Sequence, residues 1–156
     1  MISFPIIRVL TKIIIPYILL FALYVQFHGD FGPGGGFQAG VIFASAFILY
    51  GLVFGLPAIQ RVAPVKVIEK LIALGLLLYA GTGVATMLIP QTGEGGANVQ
   101  SNFLDYEALN HNISWLGPLS GQHLGIFLVE LGVGITVTAV MTMIFYAFAG
   151  REPVEG

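Results

Sequence analysis

Glu130 is the side chain whose position demands most of its surroundings. It stands in Phe127-Leu128-Val129-Glu130-Leu131-Gly132-Val133, a run that is otherwise apolar. Such a run crosses a bilayer, and a carboxylate deep within it costs about 2.5–3.5 kcal/mol on insertion scales. The group must take up a proton, pair with a cation or face water. Two roles fit. Either Glu130 lines an ion or proton route or a hydrated cavity, or it is a hydrogen-bonded acid that holds a helix contact. His123 lies seven residues earlier, two helical turns away on nearly the same face. His28, Asp30 and Gln38 fall on the same outer side by the topology derived below. These five residues are the candidate ion-path groups. For His28 and His123 the alternative is plain solvation at the membrane interface.

Other chemistries lack their parts. The chain has no cysteine, which removes disulfides, thiolate metal sites and thiol catalysis. Its three histidines show no ligand spacing, so no metal site is expected. Gly34-Gly35-Gly36 has no strand before it and no lysine after it, so it is not a phosphate-binding loop. No nucleophile stands beside a base. No catalytic residue and no cofactor are expected, and the chain reads as a non-enzyme. The net charge of −2, without a basic run, gives no sign of a nucleic-acid partner.

The elements that must position Glu130 follow from composition. Of 156 residues, 56% are hydrophobic and 9% are charged. A soluble domain carries about a quarter charged residues, so lipid is the natural solvent here. The fold class is an all-α membrane protein. One domain, 1–156, is expected to hold four spans of roughly 20 residues each, about 9–27, 33–56, 67–89 and 122–148. Lys12 and Pro16 fall near the start of the first span, where a lysine snorkels and a proline is tolerated. Met1 to Arg8 is expected to lie along the interface. A turn at Leu56-Pro57 ends the second span, and a loop with Arg61, Pro64 and Lys66 follows. Pro90 stops the third. A polar loop, 91–120, comes next, with one or two amphipathic helical turns expected over Phe103 to Leu109. Glu69 is expected to pair with Lys66 and Lys70.

Orientation is read from the six basic residues. Arg8 and Lys12 precede the first span, Arg61, Lys66 and Lys70 lie between the second and third, and Arg151 follows the fourth. Basic residues stay on the cytoplasmic side. Both termini are therefore expected inside, with the His28 loop and the 91–120 loop outside.

Small residues mark a packing face on the second span. Gly36, Gly40, Ala44, Gly51 and Gly55 recur at spacings that let helix backbones approach closely in lipid. The face serves either the chain's own helices or a neighbouring subunit.

The stretch Phe27-His28-Gly29-Asp30-Phe31-Gly32-Pro33-Gly34-Gly35-Gly36-Phe37-Gln38-Ala39-Gly40 resembles a signature of the B subunit of the multisubunit Na⁺/H⁺ antiporters, the Mrp or Mnh systems. The segment Gly125 to Val137, with Glu130, resembles that family's last span. The resemblance extends over nearly the whole chain in span count and order. It implies a four-helix, multi-pass component of a bacterial or archaeal cell membrane, within an assembly that exchanges Na⁺ or another monovalent cation for H⁺. It carries Pro33, Gly34, Gly35, Gly36, Phe37 and Gly40 over as motif residues. The implied role is a scaffold that also lines part of the cation or proton path. The implied partners are other membrane subunits, with lipid around them, and the second span's glycine face is expected to dock on a neighbour. An analogous subunit of a membrane-bound hydrogenase or related redox complex is an alternative. A stand-alone homo-oligomeric channel is another.

Overall fold

The computed structural model describes residues 5–29, 34–89, 91–92, 98–99, 102–106 and 121–150. Helix α1 spans Pro5–His28, α2 Gly36–Phe54, α3 Leu56–Val62, α4 Val65–Leu88 and α5 Gly121–Ala149. Four of these, α1, α2, α4 and α5, are long and apolar enough to cross a membrane. Between α4 and α5, β1 (Gln91–Thr92) pairs antiparallel with β2 (Asn98–Val99).

The ends of the helices follow from local chemistry. Gly55 has φ +91, a conformation that L side chains rarely adopt, and it closes α2. Pro57 then occupies the first turn of α3, where its missing N–H costs nothing. The segment expected as a turn and loop is therefore a short helix. Ala63, before Pro64, and Ile89, before Pro90, both leave helical geometry, as a following proline favours. Residues 5–8 continue α1, so the part of the expected interfacial segment that is described is helical. Pro16 consequently lies inside α1 rather than near its start.

Lipid supplies no hydrophobic drive between helices, so close packing and hydrogen bonds must hold them. The helices line up as α1, α2, α5, α4, with the strongest contacts in α4–α5, α2–α5 and α1–α2. Glycines make the two α5 contacts possible. A Cβ on Gly75 would overlap the Thr136 hydroxyl, and one on Gly132 would lie 2.9 Å from the Gly75 carbonyl. On α2, a Cβ on Gly40 would sit 2.8 Å from the Gly134 carbonyl, and one on Gly51 2.6 Å from the Phe145 ring. Ala44 is buried on the same helix. The glycine face of α2 is thus occupied by α5 of the same chain and is not left for a neighbouring subunit. Thr138 donates to the Gly40 carbonyl across this contact at 3.1 Å.

At the basic end of the bundle, Ile59, Ala63, Ile68, Ala139 and Tyr146 form a buried cluster. The Tyr146 hydroxyl donates to the Ala63 carbonyl at 2.7 Å and ties α5 to the α3–α4 corner. Arg8 and Lys12 lie over the Phe54 ring at 5.8 and 5.7 Å. At the opposite end, Phe27 stacks on Phe127 with centroids 5.5 Å apart. There the Phe103 ring covers Gly83, and the Leu104 N–H donates to the Thr86 hydroxyl at 3.0 Å. Residues 103–106 form a turn, with Leu104 at φ 62, instead of the expected helical start; residues 107–109 lie outside the described set. Among the described residues no ion pair joins Glu69 to Lys66 or Lys70; all three are exposed, where such pairs contribute little.

Gly75 and Gly81 lie on one helix but differ in surroundings, since a Cβ at Gly81 meets nothing within 4 Å. Gly75→Ala is expected to destabilise the chain by about 1–3 kcal/mol through overpacking. Gly81→Ala is expected to be neutral or to stabilise by up to about 1 kcal/mol. Thermal unfolding in a mild detergent checks the pair.

Candidate functional site

The last turn of α1, the glycine run and α5 converge at one end of the bundle. Residues 34 and 35 are not helical; Gly35 has φ +117, and its N–H donates to the Val25 carbonyl at 3.3 Å. This folds the run back against the end of α1. A Cβ on Gly34 would lie 2.9 Å from that same carbonyl. Three consecutive glycines therefore meet a real steric demand, with backbone on both sides.

Glu130 enters this junction from α5 and is half-buried. A Cβ on Gly29 would lie 2.6 and 2.7 Å from its two carboxylate oxygens, and one on Gly35 3.2 Å from Oε1. A Cβ on Gly36 would overlap the Glu130 carbonyl oxygen. The acid thus lies in a cradle whose walls are glycine backbone. Any other residue at these positions would push into the carboxylate or into α5 itself.

Gln26 adds a second polar group that sequence reasoning missed. Its side chain is 4% exposed, and its Oε1 lies 2.7 Å from where a Cβ on Gly134 would stand. The Gly36 carbonyl lies 3.2 Å from the same point. Gln26 therefore sits where α1, α2 and α5 meet, and its Nε2 has no hydrogen-bond partner among the described residues. A buried polar atom of this kind is uncommon in folded proteins. The available signal was a single amide at the inward spacing set by Ala22 and Val25, both buried on α1.

His28 stacks its ring on Tyr24, centroids 5.2 Å apart. His123 and Gln38 are exposed. Phe37 is also exposed, whereas Gly35, Gly36 and Gly40 are buried. Asp30 and Pro33 lie outside the described residues. Of the five expected ion-path groups, the described contacts show Glu130 in the glycine cradle and His28 against Tyr24.

Two substitutions test the cradle. Gly36→Ala must separate α2 from the α5 backbone, an overpacking cost of about 1–3 kcal/mol. Gly35→Ala forces a side chain into a glycine conformation at a cost of about 1–3 kcal/mol. Gln38→Ala, exposed on the same helix, is expected to change stability by no more than about 0.5 kcal/mol. The fraction of chain surviving a heat step in detergent measures all three.

Comparison with known proteins adds to this geometry. A family model described as a domain related to the MnhB subunit of Na⁺/H⁺ antiporter matches residues 6–143. A protein of Staphylococcus haemolyticus strain JCSC1435, provisionally named antiporter subunit mnhB2, is 32% identical over 147 residues, covering 94% of this chain and 95% of the relative. Its counterpart of the same provisional name in Staphylococcus aureus strain Newman is 31% identical over 147 residues, covering 93% of this chain and 94% of the relative. The matched region contains α1 through most of α5, and with them both the glycine run and Glu130. The chain belongs to the family of domains related to the MnhB subunit of Na⁺/H⁺ antiporters.

Proposed function

We propose that Glu130, in its glycine cradle, is a point on the cation or proton path of a Na⁺/H⁺ antiporter complex of which this chain is a multi-pass membrane subunit. The subunit role follows from the family. The path role is supported by one observation above all. The Glu130 carboxylate lies against Gly29 and Gly35, with no side chain from those positions between it and the backbone of the junction. A dehydrated cation or a proton is best received where a carboxylate and backbone oxygens lie close together, and the Val25 and Gly36 carbonyls are at this junction. The amide of Gln26 is buried one α5 turn away, beside Gly134.

In this reading the chain is a scaffold and a lining, not an enzyme. The ions it serves are Na⁺, or another monovalent cation, and H⁺. The family match favours the antiporter over a redox-linked complex or a stand-alone channel. Basic residues at the end that carries Arg8, Arg61 and Lys66 support a cytoplasmic location for that end and for both termini.

Glu130→Ala is expected to lower exchange by about tenfold or more, equal to about 1.4 kcal/mol, while the complex still assembles. Glu130→Gln keeps the shape and removes the charge, and is expected to be equally impaired. Exchange in everted vesicles and co-purification of the other subunits read the two effects separately. Loss of assembly with either variant would make the residue structural. Orientation is checked in this cysteine-free chain by single cysteines at Gln60 and Asn102. An impermeant thiol reagent is expected to reach Asn102→Cys from outside and Gln60→Cys only from inside.

A further inference from the structure

Helices α1 and α4 flank the α2–α5 pair, and neither packs extensively on the other. A cleft of about 380 Å³ remains between them, floored by α2 and α5. Its lining is apolar, with Leu23 from α1, Phe47 from α2, Leu71 from α4 and Leu131 and Ile135 from α5. On α5 the lining runs from Phe127 to Thr142, about 22 Å at 1.5 Å per residue. The cleft is thus a long apolar slot, and its length suits an extended polymethylene chain.

The slot is not symmetric. Its lining at the basic end includes Val62, Ala63 and Val67. Arg61, next to Val62 on α3, and Lys66, next to Val67 on α4, flank this mouth in sequence, and both are exposed. Among the described residues no carboxylate pairs with either. At the far end Gln26 also lines the slot, with its Nε2 buried. An apolar slot ending beside two exposed cations has the polarity of a phospholipid. Basic pockets between spans on the cytoplasmic side take anionic head groups in this way.

We propose that this cleft is a binding site for an anionic glycerophospholipid, with one acyl chain between α1 and α4 and its phosphate at Arg61 and Lys66. The proposal is independent of the role of Glu130. The lipid completes the side of the bundle that the chain's own helices leave open.

The test uses the purified full chain in mild detergent with phosphatidylglycerol carrying a photoreactive group near the end of one acyl chain. Cross-links are expected in peptides containing Leu71 or Ile135, with at least fivefold less capture of the phosphatidylethanolamine analogue. The double variant Arg61→Gln/Lys66→Gln is expected to remove this preference, whereas Arg8→Gln keeps it. Leu23→Trp, which fills the slot from a partly exposed position, is expected to abolish capture of both lipids. Free inorganic phosphate is not expected to compete. Equal capture of the two lipids, or capture unchanged in the double variant, would overturn the proposal. So would cross-linking of a cysteine at Leu71 to a partner subunit in the assembled complex, because a protein would then fill the slot.

Discussion

The rest of the structure depends on backbone contact between α2 and α5 where Gly36 meets Glu130. In lipid, helices gain little from hiding apolar surface, so affinity must come from proximity. Gly36, Gly40 and Gly51 remove the side chains that would hold α2 away, and Thr138 bridges the remaining gap. The same contact sets the depth of the Glu130 side chain and brings it against Gly29 and Gly35. Packing and polar chemistry are therefore one feature here. Gly36 presses on the Glu130 backbone, while Gly29 and Gly35, beside it, line the acid.

Much of this was legible in the sequence, and the reasons are physical. Four long apolar runs can only be spans, and a carboxylate inside one stands out by its desolvation cost alone. The small-residue face of α2 was visible from spacing. Its partner was not, because spacing shows that a helix can be approached and not by what. α5 lies some 90 residues further along the chain. Leu56-Pro57 read as a stop, yet the glycine before it does the stopping and the proline starts α3. Gln26 escaped notice because one amide in an apolar run is ordinary; its burial appears only when three helices are assembled around it. The Glu69 pair failed for the opposite reason. Helical spacing allowed the contact, but exposed side chains have other partners in water and head groups.

The bundle is uneven in how firmly its parts are held. α5 has neighbours on two sides, while only 11% of the apolar window of α1 is buried. The two ends differ as well. One is pinned by Tyr146 on Ala63 and by the Ile59 cluster. The other relies on ring contacts, the Thr86–Leu104 bond and the glycine junction. Glu130 and its glycine cradle lie at this second end.

The helix at the centre of the packing follows the other three spans along the chain. During synthesis the first three spans reach the membrane without the element that both α2 and α4 need. Their glycine faces then lie open to lipid or to whatever protein is near. A ribosome that stalls before residue 121 would release a chain with spans inserted but no keystone. Quality control of such a chain has a clear signature to read, because the small-residue grooves that are closed in the finished subunit are the ones a membrane protease or an insertion chaperone would find exposed.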